Sequence, residues 1–256
     1  MQKCSMCNEL SDLQNSHAIP DAFFRKILKS NSGKAIVVPG GNEEPIHYSS
    51  DSWDTQQLCA TCEIHLNKSY ETYAIKLIRG SVGSFNKHSE GVTFSCVDTN
   101  ILINFLISVF WRAANSKHPY YDKVHIPEPW NAEIRDALRG NYKVKSKLIT
   151  IKFSRLIDRT PNDGFTLNSL KGVIFTPLFR RYEYGRYSFC FIFEGFFTEI
   201  YMPGLKISER KKKGVLSYNS NVIFAPYLDI FDVPEIKRVL IEGYAKYVEG
   251  AVTFEN

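Results

Sequence analysis

Residues 4–20 read CSMCNELSDLQNSHAIP and residues 58–67 read LCATCEIHLN, and these two stretches decide how the first third of the chain folds. Each contains a Cys-x-x-Cys turn, Cys4 with Cys7 and Cys59 with Cys62. Such a turn presents two thiolates to one ion, and a second turn completes the tetrahedral shell that zinc prefers. In a reducing compartment, paired turns of this kind are better explained by a metal than by disulfides. A structural Zn²⁺ held by Cys4, Cys7, Cys59 and Cys62 is therefore expected. Cys96 and Cys190 have no such spacing and are expected to lie buried as small apolar residues.

Outward from these turns, hydrophobic periodicity sets the elements. Leu66, Tyr70, Tyr73, Ala74 and Leu77 recur at three- and four-residue spacing, which predicts an amphipathic helix over about 60–79. Phe23, Phe24, Ile27 and Leu28 repeat that spacing and predict a short helix over 20–29. Between them, residues 34–38 and 45–48 read as two strands of an insertion, joined through the Gly40-Gly41 turn. Further on, an apolar stretch over 99–115 predicts a buried helix, and 133–139 a shorter one. The pattern then becomes β-branched and aromatic at 147–153, 172–176, 187–193, 198–201 and 221–225, separated by Gly, Pro and Asn, which predicts strands. A helix over 234–248 closes the chain, with Pro234 in its first turn and Ile236, Val239, Leu240, Tyr244 and Val248 on one face. These readings give an α+β chain: a small unit over 1–90 and a larger mixed α/β domain over 91–256.

Composition excludes some classes. With 44% apolar and 23% charged residues the chain is globular and not disordered. Its longest apolar run, residues 101–111, is far short of the ~20 residues a membrane-crossing helix needs. The polar start, with a Cys pair in place of an apolar signal segment, predicts a cytoplasmic protein without a membrane partner. Net charge is +5, distributed unevenly: residues 1–95 hold nine Lys and Arg against ten Asp and Glu, and the remainder holds 23 against 17. A polyanionic partner would thus be gripped mainly by the C-terminal part. Arg112, the Arg180-Arg181 pair, and Lys211 and Lys212 in the basic run 210–213 are the candidate phosphate contacts, against the plainer reading that they are solvated charges.

The residues flanking the turns point further. The first Cys pair is followed by Asn15-Ser16-His17-Ala18-Ile19-Pro20, and Cys62 is followed directly by Glu63. Over about its first 75 residues the sequence resembles the HNH, or ββα-metal, endonucleases of the four-cysteine type, in which an acidic-His-x-x-Pro element follows the first Cys pair. The resemblance implies a zinc-stapled ββα-metal module. It implies that His17 is the general base and that Ser16 stands where an Asp ligand of the catalytic ion is usual. Asp54 takes the place of the middle Asn that orients the base, and Glu63 that of the polar metal ligand after the last Cys. Asn67, four residues beyond Glu63 and on the same helical face, is placed as a further ligand or phosphate contact. His65 should face away, and Glu71, two turns below Glu63, reads as a solvated helix charge. Ser16 removes a charge from the metal shell, and Asp54 adds one nearby.

The chemistry is coherent on its own terms. Phosphodiester hydrolysis needs a base near the attacking water and a hard cation, Mg²⁺ or Mn²⁺, to stabilise charge on the phosphate and the leaving oxygen. Imidazole titrates near neutrality, which suits His17, and hard cations prefer oxygen ligands such as Glu63. With a small HNH-like unit followed by a larger domain, the resemblance implies a DNA endonuclease of the restriction or phage-defence kind, whose second domain senses a regulatory protein, a ligand or a DNA feature. A double-strand break would imply two such sites and hence a homodimer, or two separate cleavage events. The alternative is a zinc-stapled nucleic-acid or protein binding module with a degenerate nuclease site.

Overall fold

The computed structural model of the protein describes residues 1–39, 44–162 and 164–253, with Tyr184 described by its backbone alone. The predicted Gly40-Gly41 turn lies outside these residues. The chain begins with a short hairpin, β1 (Gln2–Lys3) and β2 (Leu10–Ser11), which clasps the first cysteine turn. β3 (Leu13–His17) follows, then α1 (Asp21–Ser30), then β4 (Ala35–Val37) and β5 (Ile46–Ser49), which pair antiparallel as the predicted insertion. β6 (Asp54–Cys59) returns antiparallel to β3 and runs directly into α2 (Ala60–Leu66). The β3, β6 and α2 segments thus form a ββα unit with a four-cysteine cluster at one end.

The predicted helix over 60–79 is one rod with a defect. α2 passes into a π turn at Asn67–Glu71, closed by the Thr72 N–H donating to the Asn67 carbonyl, and continues as α3 (Thr72–Ile78). A π turn absorbs one extra residue. That residue changes which side chains share a face, with consequences at the site described below.

The larger part is a seven-stranded sheet with order β10-β11-β12-β9-β13-β8-β7. It is entered through a hairpin, β7 (Ser84–Lys87) with β8 (Gly91–Ser95), that straddles residue 90. α4 (Thr99–Ala114) follows, capped by the Asp98 carboxylate, which accepts from the N–H groups of Asn100 and Ile101. Then come α5 (Trp130–Arg139), β9 (Thr150–Ile157), α6 (Leu167–Lys171) and β10 (Leu178–Arg181). β11 (Tyr187–Phe193) and β12 (Phe196–Met202) form a hairpin, and β13 (Val222–Asp229) joins β9 in parallel, the other pairs being antiparallel. α7 (Pro234–Val248) and β14 (Val252–Thr253) end the described chain, β14 pairing back onto β5 of the N-terminal unit.

α4 is buried on nearly all sides because it lies between the sheet and the ββα unit. Phe105 meets Phe193, and Phe110 meets Phe189 and Phe191, on the sheet side. One continuous apolar core runs from Cys4 and Leu58 through Leu102 and Phe110 to Phe153 and Ile223. The tip of the β11–β12 hairpin reaches the N-terminal unit: Glu194, 3% exposed, accepts from Lys26 at 2.9 Å and from Arg79 at 2.7 Å. Removing the first 90 residues would therefore strip β7 from the sheet and open this core.

Several expectations need correction. Residues 172–176 form no strand. Thr166 caps a helical turn by accepting from the Ser169 N–H, Gly172 ends it, and pairing begins only after Pro177, which has no N–H to give a ladder. Cys96 is exposed, at the end of β8 with φ 58°, whereas Cys190 is buried as expected. α7 does not bury its predicted face throughout. Ile236 is buried, but Tyr244 and Val248 are exposed, while Lys246 is buried because its ammonium donates to the Pro39 and Glu44 carbonyls at the foot of the insertion. No helix is long and apolar enough to cross a membrane among the described residues.

Candidate functional site

The four cysteines come together as expected. Their sulfurs all lie within 4.8 Å of one another, and Cys7 Sγ to Cys59 Sγ is 3.8 Å. A tetrahedral zinc with Zn–S bonds of about 2.3 Å places its sulfurs about 3.8 Å apart, so the donor set and spacing fit that ion. Cys4 and Cys7 sit on a tight turn in which the Asn8 N–H donates to the Cys4 carbonyl, with Asn8 at φ 65°. Cys59 ends β6 and Cys62 lies in the first turn of α2, where the helix dipole favours negative charge. Burial works against ionising Cys4, yet N–H groups of Cys7, Cys59 and Met6 outweigh it and bring the thiol down to about 7. Burial and the neighbouring thiols push Cys62 up. Among the described residues this is the one grouping of three or more Cys, His, Asp or Glu side chains able to hold a metal.

Along β3, alternation sends Ser16 and His17 to opposite faces. Ser16, 1% exposed, faces the start of α2: its hydroxyl donates to Glu63 Oε2 at 2.8 Å and accepts from the Leu58 N–H at 3.2 Å. Two sequence-predicted positions, Ser16 and Glu63, are thus in direct contact. A third party, assigned by sequence to phosphate binding, joins them. Arg112 from α4 is 1% exposed, with Nη1 at 3.6 Å from Glu63 Oε1 and Nη2 at 3.0 Å from Glu71 Oε2. Arg112 is therefore an internal counter-charge that cannot reach a phosphate, and Glu71, 13% exposed, is its partner and not a solvated charge. The π turn explains why both glutamates reach it. An α-helix turns about 100° per residue, so a residue eight positions beyond Glu63 would point about 80° away, and absorbing one residue reduces this to about 20°.

Asn67, at the start of that turn, makes no side-chain hydrogen bond to Ser16, Glu63 or Arg112 among the described residues. Asn67 is exposed, and its Oδ1 accepts from Thr72 Oγ1 at 3.1 Å. His65 faces away as expected and meets the Leu138 carbonyl at 3.1 Å.

His17 sits at the open end of the β3–β6 pair, half buried, with Asp54 opposite it in register. The orienting contact expected of Asp54 is made instead by Ser52, whose Oγ is 3.0 Å from His17 Nε2. Asp21 Oδ1 approaches the same nitrogen at 3.8 Å. Both partners use Nε2, so this is not a Ser-His-Asp triad, in which acid and nucleophile take different ring nitrogens. Among the described residues no hydrogen bond is made by Nδ1. The loop carrying Ser52 is fixed by Trp53, packed edge-on against Phe24, Tyr120 and Tyr121, and by Asp51, 3.1 Å from His118 Nε2. Neither Ser52 nor His118 carries a motif that sequence reading could have used. A Trp amid short polar residues at 49–54 was the one available signal of an anchored loop.

The remaining basic candidates lie on the sheet domain. Arg180 is held by Glu235 at 2.7 Å and lies 3.4 Å from Glu199, so its charge is already paired. Arg181, Lys211 and Lys212 are exposed. Set against known protein families, curated proteins and solved structures, the chain matches none of them.

Proposed function

We propose that the chain is an HNH-type endonuclease that hydrolyses DNA phosphodiester bonds, with a structural zinc in its four-cysteine cluster. The observation that carries this reading is the ββα unit with His17 at its open end. Ser52 holds the ring through Nε2, Nδ1 has no protein partner among the described residues, and Ser16 and Glu63 meet on the other face of β3.

In this reading His17 Nδ1 takes the proton of the attacking water while Ser52 keeps the ring from rotating. A positioned base of this kind contributes ~10² to 10⁴-fold to rate. The zinc and the aromatic packing of Trp53 hold the two strands and the loop in mutual register. A hard cation, Mg²⁺ or Mn²⁺, would stabilise charge on the phosphate and the leaving oxygen. Glu63, 28% exposed, is the carboxylate that would hold it, with Ser16 beside it. Magnesium is commonly held by one or two carboxylates, with water and substrate phosphate completing the shell. The donor set therefore suits a cation that arrives with the substrate more than a resident one. Exposed Arg181, Lys211 and Lys212 supply candidate phosphate contacts at a distance from this chemistry.

Arg112 favours a second reading, a nucleic-acid or protein binding module with a degenerate nuclease site. Its guanidinium already compensates Glu63 and Glu71. Incubating the full chain with supercoiled plasmid, with and without Mg²⁺ or Mn²⁺, separates the two: nicking supports the nuclease, and retention without nicking supports the binding module.

A further inference from the structure

The sheet domain contains a cavity of about 230 Å³ between β7, β9, β13 and α6. Its apolar lining includes Phe85, Phe165 and Leu167, and its cations are Arg155 and Lys87. Asp158 also lines it, but its oxygens accept from the Thr160 and Phe165 N–H groups of its own loop at 2.8 and 2.7 Å.

Arg155 is the unusual member. It lies inside β9, 3% exposed, with its guanidinium 4.4 Å from the centre of the Phe196 ring. Among the described residues it makes one hydrogen bond, from Nη1 to the Glu194 carbonyl at 2.9 Å, and no ion pair. The Glu194 carboxylate is already occupied by Arg79 on Oε1 and Lys26 on Oε2. Burial holds the Arg155 guanidinium below its ordinary value, at about 10. Lys171 is lowered too, by burial and then by Arg155, Lys26 and Lys87. Among the described residues cations outnumber carboxylates here, and Glu194 acts on Arg155 only beyond ion-pair distance, which leaves a buried charge without a direct counter-ion, an unfavourable state. The guanidinium packs close to Gly195, where a Cβ would stand 3.3 Å from its Cζ and both Nη atoms and press on it by a few tenths of an ångström.

We propose that this cavity binds a small organic anion, a phosphate or carboxylate carried on one flat ring, with Arg155 as its counter-charge. The volume falls below the roughly 300 to 1,000 Å³ of pockets for drug-sized ligands, which limits the occupant to about one ring and its headgroup. The aromatic and aliphatic walls suit the ring, and Lys87 at the mouth suits the approach of an anion. The inference does not depend on whether His17 cleaves DNA.

The test is calorimetry and thermal shift on the full chain with phenyl phosphate, benzoate, inorganic phosphate and neutral benzyl alcohol. Phenyl phosphate or benzoate should bind saturably and raise the melting temperature, and the response to each identifies the headgroup. Inorganic phosphate should bind at least tenfold more weakly, and benzyl alcohol should not bind. Arg155→Met should abolish binding, and Leu167→Trp, at a half-exposed wall position, should block it by filling the cavity while leaving the fold intact. Should Arg155→Met fail to fold, Leu167→Trp decides. The proposal is overturned if neither ring-bearing anion saturates by about 10 mM, or if Leu167→Trp binds as the wild type does.

Discussion

Replacing Arg112 by Met tests the internal ion pair on which the site is built. Met keeps much of the volume and removes the charge, so packing changes little and electrostatics dominates. Arg112 is 1% exposed and Glu71 13%, at 3.0 Å, whereas Glu63 is 28% exposed at 3.6 Å. The Glu71 contact is effectively buried, and breaking a buried pair from one side costs about 3–5 kcal/mol. Water partly compensates Glu63, which places the expected loss near the lower end, about 3 kcal/mol. At about 2–4 °C per kcal/mol for a chain of this size, the melting temperature should fall by roughly 6–12 °C. Urea unfolding followed by tryptophan fluorescence measures the same loss. Adding Glu71→Gln to Arg112→Met should recover part of it, since the second change removes the stranded carboxylate. The single variant also leaves two carboxylates without their cation, so Mn²⁺ should stabilise it more than it stabilises the wild type. If Arg112→Met lies within 1 kcal/mol of wild type and responds to Mn²⁺ no differently, the reasoning about this cluster is wrong.

Two further outcomes follow from the same geometry. Freshly purified protein should carry about one zinc per chain by elemental analysis, and Cys59→Ser should lower that content and melt the ββα unit in far-ultraviolet circular dichroism, because structural zinc contributes folding free energy directly; metal-free protein with an unchanged spectrum would contradict this. Asp98→Ala removes the cap of α4, whose side chain accepts from two N–H groups, and should lower stability by about 0.5–2 kcal/mol in the same urea assay.

The sequence carried the elements whose signals are local. Pro234 and the spacing behind it marked α7 to the residue, and the cysteine turns marked the cluster, because ligand spacing and helix starts depend on few neighbours. Long-range pairings did not show. Nothing local reveals that residues 84–87 join a sheet whose other members lie up to residue 229, or that β14 returns to β5. At the site, His17, Ser16 and Glu63 were legible through motif order, while Ser52 and the role of Arg112 were not. Arg112 looked like a surface cation because a formal charge in a sequence gives no sign of burial, and its burial depends on the two glutamates that the π turn aligns. The insertion of a residue into a helix turn has no reliable sequence signal. The apolar spacing on which the helix prediction rested continues smoothly through it.

The central claim is that His17 is the base of a DNA-cleaving site, and a plasmid-nicking assay comparing wild type with His17→Ala tests it most directly. With Mn²⁺ or Mg²⁺ present, the wild type should convert supercoiled to open-circular DNA. His17→Ala, with unchanged zinc content and melting temperature, should be slower by about 10² to 10⁴-fold. Equal nicking rates for the two proteins, or no cleavage by the wild type under either ion, would contradict the account.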